Sequence, residues 1–543
     1  MRSFSRRASV RRILQLLLIA ALVLLSRAPF LLRGERFFDS DEAVEGLMAR
    51  HVLDGEFPVF LWGQRYKGVP EIYLTAAVFA VTGSSVIALK SVTLACYALF
   101  VCLQFVLVTR LFSKGIAWLA TAFLIAGPPS LVFWSLSASA EVVMTMLAGT
   151  VMCLGVDFWR RTGSRRAFAA AAVSAGFGLW VHQYILYYWI ALGMAVWHWL
   201  PQRQQILRRL LANREGPGWL RLTIGLLAAA GGAYVALGIL AFVSGGGDLV
   251  VVGVPISIRH AQKLWYIAAG LALLAAGARI LLLASRANWE SASLVYTAAA
   301  GFAIGYAPAL IAHATGGGAP PIGRADLAGV AASISPMARE VVPIVLGFKG
   351  PDTSWLGIPA WVGFGLALIA GASLTAVEDR PFTPFFHYLV FSTPLIFLLS
   401  GAFADAQSYR YLMPTWGALA VVFAVGVWWI FQRSRVAGGV ALVATVAIFG
   451  LQQRAWYGQL APDVQSRELI ACLDKAGVRV ASADYWLSYK LTFLANERLV
   501  VAPEGSIDRY PAYTALVQSH PGAPKIPDKM MGLPCIPDTS SFR

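Results

Sequence analysis

A run of carboxylates is the strongest chemical signal in this sequence. It lies in Phe38-Asp39-Ser40-Asp41-Glu42-Ala43-Val44-Glu45, directly after the first apolar segment. Carboxylates this close repel one another, so the run is typical of a site that meets a cation or takes a proton from a hydroxyl group. The other interpretation is a solvated loop in which Asp39 or Ser40 caps a helix starting near Asp41, and the run taken alone favours it.

A cationic stretch follows in the same polar loop. It lies in Trp62-Gly63-Gln64-Arg65-Tyr66-Lys67-Gly68-Val69-Pro70-Glu71, which leads into an apolar helix. A cation at the edge of a membrane can hold a lipid phosphate. The alternative for Arg65 and Lys67 is that they are snorkelling anchors.

Three more polar groups fall at the ends of apolar segments: Glu141, His182 and the pair Arg410-Tyr411. An ionisable side chain inside a helix bundle is unfavourable unless it is paired or used, so each is a candidate functional residue. Glu141 and Arg410 are the stronger candidates, because a carboxylate and a guanidinium facing one cavity suit an anionic, hydroxyl-rich ligand. For His182 an interfacial histidine with its hydrogen bonds satisfied is an equally good interpretation.

The composition places these residues in a membrane protein. The chain has 543 residues, of which 58% are hydrophobic and 13% are charged, whereas soluble domains carry about a quarter charged residues. The net charge of +16 comes from Lys and Arg clusters that sit between apolar runs rather than along one face of a domain. That distribution indicates topology signals and argues against a nucleic acid partner.

The apolar runs predict an all-α polytopic membrane bundle of about 13 transmembrane helices. They lie at about 13–32, 70–83, 86–110, 116–134, 142–159, 167–181, 184–199, 222–243, 264–284, 292–312, 358–377, 386–403, 415–431 and 436–451. Residues 70–110 contain two runs where the charge pattern expects one crossing. Either one of them is short and re-entrant, or a later hairpin is miscounted.

Clusters of arginine orient these helices. Five arginines within the first twelve residues predict a cytoplasmic N-terminus, and residues 160–166 and 203–221 mark cytoplasmic turns. The first outer loop is then 33–69, and further outer loops surround 244–263, 313–356 and 405–414. The Ala-, Arg- and Gly-rich composition favours a bacterial inner membrane.

The domain boundary is expected between a membrane domain, 1–451, and a polar region, 452–543. The polar region is predicted to be a small soluble α/β domain on the periplasmic side, because it contains seven prolines from Pro503 to Pro537 and an alternating stretch from Arg479 to Ala483. Cys472 and Cys535 lie in it, and they could form a disulfide in an oxidising compartment.

These motifs together resemble the GT-C glycosyltransferases. The resemblance is to the branch of protein O-mannosyltransferases, lipid A aminoarabinose transferases and galacturonosyltransferases of the lipopolysaccharide core. It rests on Asp41-Glu42 with Glu45, Tyr66-Lys67 before Pro70, Glu141, and Tyr409-Arg410-Tyr411-Leu412-Met413-Pro414. It covers roughly residues 33–416, and it departs from the family where Gly68-Val69-Pro70 replaces Pro-Pro and where Glu141 replaces Asp.

The resemblance implies transfer of a sugar from a polyprenyl phosphate to an acceptor hydroxyl of a glycan, a lipid A-like molecule or a protein. It implies Asp41 as general base, with Glu42 supporting it or contacting the sugar. It further implies that the remaining candidates bind the phosphate and the sugar of the donor. These are Lys67, Glu141, His182, Arg410 and Tyr411. No cofactor is implied with certainty, and whether a divalent metal assists Asp41 and Glu42 stays open.

Two alternatives remain. A secondary transporter would also carry charged residues among many helices, but its ionisable groups gather near the midplane and its halves match. Here the ionisable residues gather toward one side. A lipid-linked glycan ligase or polymerase would also use polyprenyl donors, and the sequence separates it only weakly from the transferase.

Overall fold

The structure is a computed structural model, and almost all of its ordered elements are helices. It describes residues 2–139, 141–200, 218–251, 254–257, 260–287, 289–314, 326–347, 358–377 and 382–526. Eight helical stretches within these ranges are long and apolar enough to cross a membrane: Val10–Leu31, Val86–Leu111, Glu141–Thr162, Gly218–Ser244, Ala292–Ala314, Leu327–Leu346, Ala406–Arg433 and Arg435–Lys475. The predicted polytopic α-helical membrane bundle is confirmed.

The first half of the chain alternates long helices with one structured polar loop. Its elements are α1 Arg2–Leu31, α2 Ser40–Leu53, β1 Phe60–Leu61, β2 Gln64–Gly68, α3 Pro70–Thr82, α4 Val86–Leu111, α5 Lys114–Ala126, α6 Pro129–Trp134, α7 Glu141–Thr162, α8 Arg165–Val181 and α9 Ile185–Trp199. Strands β1 and β2 pair as an antiparallel hairpin in the first outer loop.

The second half continues the bundle and ends in a polar region. Its helices are α10 Gly218–Ser244, α11 Ala261–Ala287, α12 Trp289–Ala314, α13 Leu327–Pro336, α14 Val342–Leu346, α15 Ile358–Val377, α16 Pro384–Leu399, α17 Trp416–Arg433, α18 Arg435–Gln459, α19 Val464–Lys475, α20 Tyr485–Leu494 and α21 Pro511–Gln518. Its strands are β3 Asp248–Val251, β4 Val254–Ser257, β5 Val480–Ala483 and β6 Val500–Pro503. A 3-10 segment, Ala406–Thr415, leads into α17.

Two features differ from the prediction. The apolar run at 116–134 was expected to be one helix, but it forms α5 and α6, because Pro128 lacks a backbone N–H and disfavours helical geometry at Gly127. The carbonyl groups freed at the break are satisfied by Gln453, whose Nε2 lies 2.5 Å from the carbonyl oxygen of Gly127. The buried guanidinium of Arg27 donates to the carbonyl of Leu124 at 3.0 Å.

The second difference concerns residues 313–356. They were predicted to be an outer loop over their whole length, and this prediction was wrong for the middle of the segment. It contains the apolar helical stretch Leu327–Leu346, which is long enough to cross a membrane. Residues 315–325 and 348–356 of that loop lie outside the described residues. The two runs at 70–110 do form two helices. Because α3 has 13 residues, it measures about 20 Å and is shorter than a bilayer core of roughly 30 Å.

The polar C-terminal region folds onto the first outer loop. Strands β5 and β6 pair in parallel, and β5 coincides with the predicted alternating stretch. Helix α20 packs against α2 so closely that a Cβ atom on Gly46 would lie 2.5 Å from the Phe493 ring. Cys472, in α19, is disulfide-bonded, and Cys535 lies outside the described residues.

Candidate active site

The carboxylates at the start of α2 divide into one accessible group and two buried ones. Helix α2 begins at Ser40, where the Asp39 carboxylate accepts a hydrogen bond from the backbone N–H of Glu42 at 3.0 Å. The side chain of Asp41 is 39% exposed, whereas Glu42 and Glu45 are buried at 1% and 2%. Asp41 is therefore the carboxylate of α2 that a ligand can reach.

Asp41 contacts the C-terminal region. Its Oδ1 atom accepts a hydrogen bond from the hydroxyl of Tyr485. The same oxygen lies 3.6 Å from Nη2 of Arg509. A tyrosine hydroxyl and a guanidinium thus face the carboxylate that the sequence assigns as the base.

Asp39 has an unusual charge environment. Its burial, and the nearby negative charges of Glu42 and Asp41, raise the pKa of the Asp39 carboxyl to about 7. The capping hydrogen bond from Glu42 opposes this effect. The helix-capping interpretation of the acidic run is therefore correct for Asp39, and it leaves Asp41 free for another role.

Glu42 is held in a buried ion pair. Both of its carboxylate oxygens lie 2.6 Å from Nζ of Lys90, and Oε1 also accepts from the backbone N–H of Ala138 at 2.7 Å. Lys90 is fully buried and its ammonium lies 4.2 Å from the centre of the Phe37 ring. This arrangement ties α2 to α4 and supports the helix that carries Asp41.

Lys67 lies between two carboxylates. Its ammonium is 3.0 Å from Oε1 of Glu45 and also forms an ion pair with Glu141. Burial alone would lower the pKa of the Lys67 ammonium, but Glu141 and Glu45 together raise it above its ordinary value. Burial raises the pKa of Glu45 to about 8 against the opposing charge of Lys67. Lys67 is thus a charged ammonium, and the carboxylate of Glu141 neutralises its charge.

Strand β2 places Lys67 against the membrane helices. A Cβ atom on the next residue, Gly68, would lie 2.4 Å from the carbonyl oxygen of Trp180 in α8. Only glycine permits this approach. Glycine at this position thus allows β2, which carries Lys67, to lie against α8.

Glu71 is a further buried carboxylate of the site. It follows Pro70 in the first turn of α3 and accepts a hydrogen bond from the hydroxyl of Thr93 in α4. Its other oxygen, Oε2, is buried without a hydrogen-bond partner among the described residues. Electrostatic interactions connect it to Lys67, Glu141 and Glu42.

Aromatic side chains surround Arg410. Nη2 of Arg410 donates to the hydroxyl of Tyr411 at 3.4 Å, and the Tyr411 ring stacks on Phe397 with 5.1 Å between centroids. Tyr184 meets Tyr411 edge to face at 5.9 Å. Arg410 itself is partly exposed, so a ligand can reach its guanidinium.

His182 is a buried neutral donor. It ends α8, and its Nδ1 accepts from the backbone N–H of Tyr184 at 3.3 Å. Burial lowers the pKa of His182 to about 4, with Glu141 opposing and Lys67 adding to the effect. A neutral ring whose Nδ1 is an acceptor carries its proton on Nε2, so His182 offers one N–H donor. It meets the Tyr66 ring at 6.2 Å.

The predicted residues gather at one end of the bundle. Glu141 interacts electrostatically with Lys67, His182 and Arg410. Tyr66 interacts with both Glu141 and Arg509, and Arg509 contacts Asp41. These interactions connect Lys67, His182 and Arg410 to Glu141 directly, and they connect Asp41 to that group through Arg509 and Tyr66. Tyr411 contacts Arg410, and Glu42 is held in its ion pair with Lys90.

Three residues whose side chains contact Asp41 or Glu42 were absent from the prediction: Lys90, Tyr485 and Arg509. Lys90 lies within an apolar helix, and an ionisable residue there is a recognisable signal. Tyr485 and Arg509 have no such signal, because neither the type of residue nor its spacing connects them to the first outer loop. Among the residues that the structure describes, no group of three or more His, Cys, Asp or Glu side chains could hold a metal ion.

Comparisons with known proteins give matches only among solved structures. No protein-family model and no curated protein matches this chain. The oligosaccharyltransferase AglB of Archaeoglobus fulgidus, in complex with an inhibitory peptide and a dolichol-phosphate, is 12% identical with a TM-score of 0.48, over 91% of this chain and 64% of that chain. Its apo form is 13% identical with a TM-score of 0.47, over 90% of this chain and 64% of that chain.

A second match is ArnT from Cupriavidus metallidurans bound to undecaprenyl phosphate. It is 13% identical with a TM-score of 0.35, and the match covers 94% of this chain and 89% of that chain. Both proteins are GT-C superfamily glycosyltransferases, the superfamily that the sequence motifs resemble. This chain spans less than two thirds of the length of the archaeal enzyme. At these identities and TM-scores the matches do not assign an activity, and the site geometry has to do so.

Proposed function

We propose that this chain is a GT-C-type glycosyltransferase that moves a sugar from a polyprenyl phosphate to an acceptor hydroxyl at the outer face of the bacterial inner membrane. The observation that carries the proposal is a connected polar site: the accessible carboxylate Asp41 contacts Arg509, and the cations Lys67 and Arg410 both interact with Glu141. Tyr66 interacts with Glu141 and with Arg509, and it connects the two parts.

The chemistry of the transfer requires both parts of this group. The acceptor oxygen forms a bond to the anomeric carbon, and its proton passes to the Asp41 carboxylate. The bond between that carbon and the phosphate oxygen breaks, and its electron pair stays on the polyprenyl phosphate. Cations near the leaving oxygen stabilise the growing negative charge, and a single displacement inverts the anomeric carbon.

Arg410 is assigned as the main ligand of the donor phosphate. Its hydrogen bond goes to the Tyr411 hydroxyl, and a guanidinium binds phosphate through two parallel N–H groups. Lys67 is assigned a supporting role. An ammonium has three N–H donors, and Glu45 and Glu141 use two of them. The third is assigned to the donor.

The remaining residues shape the donor site. His182 interacts electrostatically with Glu141, and ring contacts run from Tyr66 to His182, from His182 to Tyr184 and from Tyr184 to Tyr411, which we assign as an aromatic wall. Such a wall suits a sugar ring, and Glu141 suits the sugar hydroxyls. Glu42 acts through its ion pair with Lys90 by fixing α2.

The test is transfer by the purified chain in liposomes. Polyprenyl phosphates bearing a panel of labelled hexoses, hexuronic acids and aminopentoses are supplied with a bacterial envelope lipid extract as acceptor. The expected result is label in the acceptor fraction together with release of free polyprenyl phosphate. An Asp41→Asn variant should bind the lipid donor and release none.

Two results would contradict the proposal. One is the absence of transfer from every donor of the panel by the wild type. The other is an Asp41→Asn variant as active as the wild type. Movement of a solute across the liposome membrane, without chemical change and unaffected by the Asp41 substitution, would instead indicate the transporter alternative.

A further inference from the structure

The C-terminal region supplies direct contacts to the accessible carboxylate of the site. The Tyr485 hydroxyl donates to Oδ1 of Asp41, and Nη2 of Arg509 lies 3.6 Å from the same oxygen. The two C-terminal residues also contact each other, because Nε of Arg509 donates to the Tyr485 hydroxyl at 3.1 Å. Asp41, Tyr485 and Arg509 therefore form a closed triangle of polar contacts.

Arg509 is fixed at both ends. Its backbone N–H donates to the hydroxyl of Tyr489 at 2.7 Å, and the Tyr489 side chain is fully buried. At the other end, the amide oxygen of Gln64 accepts from Nη1 and Nη2 of Arg509 at 2.8 and 2.9 Å when it faces the guanidinium. A guanidinium held in this way keeps its position at little entropic expense.

Gln64 connects this triangle to the donor-binding residues. It begins β2, and Lys67 lies three residues further along the same strand, about 10 Å away at 3.3 Å per residue. Tyr66, between them, interacts electrostatically with Arg509 and with Glu141. Arg509 thus contacts both the proposed base and the strand that carries Lys67.

Resting on the proposed transfer reaction, we propose that Arg509 and Tyr485 are positioning residues, which hold the Asp41 carboxylate in the orientation that receives the acceptor proton. The C-terminal region is then a part of the active site. Asp39 and Glu42 are negative groups in the segment that carries Asp41, and Lys90 of α4 pairs with Glu42. Arg509 is a cation that lies against the Asp41 carboxylate itself.

The positioning roles of Arg509 and Tyr485 predict that their substitution changes kcat and leaves KM nearly unchanged. A positioning residue acts when the proton moves, so its loss lowers kcat and leaves the KM for the donor close to its original value. A carboxylate that loses a neighbouring cation is also protonated more readily, so the acid limb of the rate profile moves to higher pH. A purely structural role for the C-terminal region would move neither quantity in this pattern.

The experiment compares Arg509→Gln, Arg509→Lys and Tyr485→Phe in the full-length chain. Arg479→Gln is the matched control, because Arg479 lies in the same region and pairs with Asp474 at 2.9 Å. For Arg509→Gln, kcat is expected to fall about 10- to 100-fold with the donor KM within about twofold. The lysine variant should recover part of kcat, and Tyr485→Phe should lose less.

A second measurement needs no turnover. Carbodiimide reacts with protonated carboxyl groups, and mass spectrometry locates the modified residue. In Arg509→Gln, labelling of Asp41 should persist to higher pH than in the wild type or in Arg479→Gln. If Arg509→Gln does not fold, Arg509→Lys and Tyr485→Phe provide the same comparison.

The outcomes separate this proposal from the proposed function. If the wild type transfers no sugar, the proposed transferase function is refuted. The labelling experiment then still decides whether Arg509 affects the protonation of Asp41. If the wild type is active and Asp41→Asn is not, then unchanged kcat, rate profile and labelling in Arg509→Gln and Tyr485→Phe overturn the positioning role. A change confined to the donor KM overturns it as well.

Discussion

The hydroxyl of Tyr485 donates a hydrogen bond to the carboxylate of Asp41, although the two residues are 444 positions apart in the chain. Asp41 lies at the start of α2, in the first outer loop, and Tyr485 lies at the start of α20. The contact shows that the two ends of the chain build one polar site.

Asp41→Asn should abolish sugar transfer while donor binding remains. The amide is nearly the same size, but it cannot accept the acceptor proton, and general-base catalysis is worth roughly 10²- to 10⁴-fold in rate. The measurement is release of polyprenyl phosphate under single-turnover conditions, with donor binding followed separately. Asp54→Asn is the control, because Asp54 is exposed at the other end of the same helix. Equal loss in both variants would contradict the role of Asp41.

Arg410→Gln should weaken donor binding rather than the proton transfer. A charge-assisted hydrogen bond is worth about 1.5–3 kcal/mol, so the KM for the donor should rise roughly 10- to 100-fold. Binding of polyprenyl phosphate alone should weaken in parallel, which titration of the purified protein measures. Arg433→Gln serves as the control at the opposite end of the following helix, where Arg433 is exposed and donates to the carbonyl of Trp429. Unchanged affinity in Arg410→Gln would refute the assignment.

Lys90→Met should destabilise the protein, because it leaves the Glu42 carboxylate buried without its cation. Removing one partner of a buried ion pair costs about 3–5 kcal/mol. The double variant Glu42→Gln with Lys90→Met should recover much of this loss, since no charge is then buried. The unfolding temperature of the protein in detergent measures both effects. A single variant as stable as the wild type would show that the pair contributes little.

The docking of the C-terminal region should depend on pH through His51. Nδ1 of His51 lies 2.8 Å from Oε1 of Glu56, and Nε2 lies 3.0 Å from Oε1 of Glu497. A ring that donates to a carboxylate from each nitrogen carries both protons. Burial lowers the pKa of His51, but the hydrogen bonds to Glu497 and Glu56 raise it above its ordinary value.

The sign of the effect follows from that shift. A raised pKa in the folded state gives stability that is complete below the unfolded value of about 6.5 and is lost as pH rises through the folded value. The unfolding temperature of the wild type should therefore fall by a few degrees relative to His51→Gln as pH increases above about 6.5. His520→Gln, at an exposed histidine of the same region, should follow the wild type. Parallel curves for wild type and His51→Gln would exclude this contribution.

Much of the fold was predictable from the sequence because a bilayer imposes a strict local rule. A segment crosses the membrane as an apolar helix of about 20 residues, and runs of that kind stand out without any knowledge of their neighbours. The helices Val86–Leu111 and Glu141–Thr162 match their predicted runs closely. The break at Pro128 and the helix at 327–346 were missed because a short or mixed run carries a weaker signal.

The chemistry of the site was also partly readable, since carboxylates and cations at helix ends are costly unless they are used. The sequence by itself therefore selected Asp41, Lys67, Glu141 and Arg410 as candidate functional residues. It could not determine which of them are paired. Only the folded chain decides that Glu42 is neutralised by Lys90 and that Lys67 is shared by Glu45 and Glu141.

The contacts of Asp41 with Tyr485 and Arg509 belong wholly to the tertiary structure. They depend on how the C-terminal region packs against α2, through the close approach of Phe493 to Gly46. Membrane helices are specified by local apolarity, which a single chain displays along its length. Pairing across several hundred residues is specified by shape and charge at surfaces that exist only after folding.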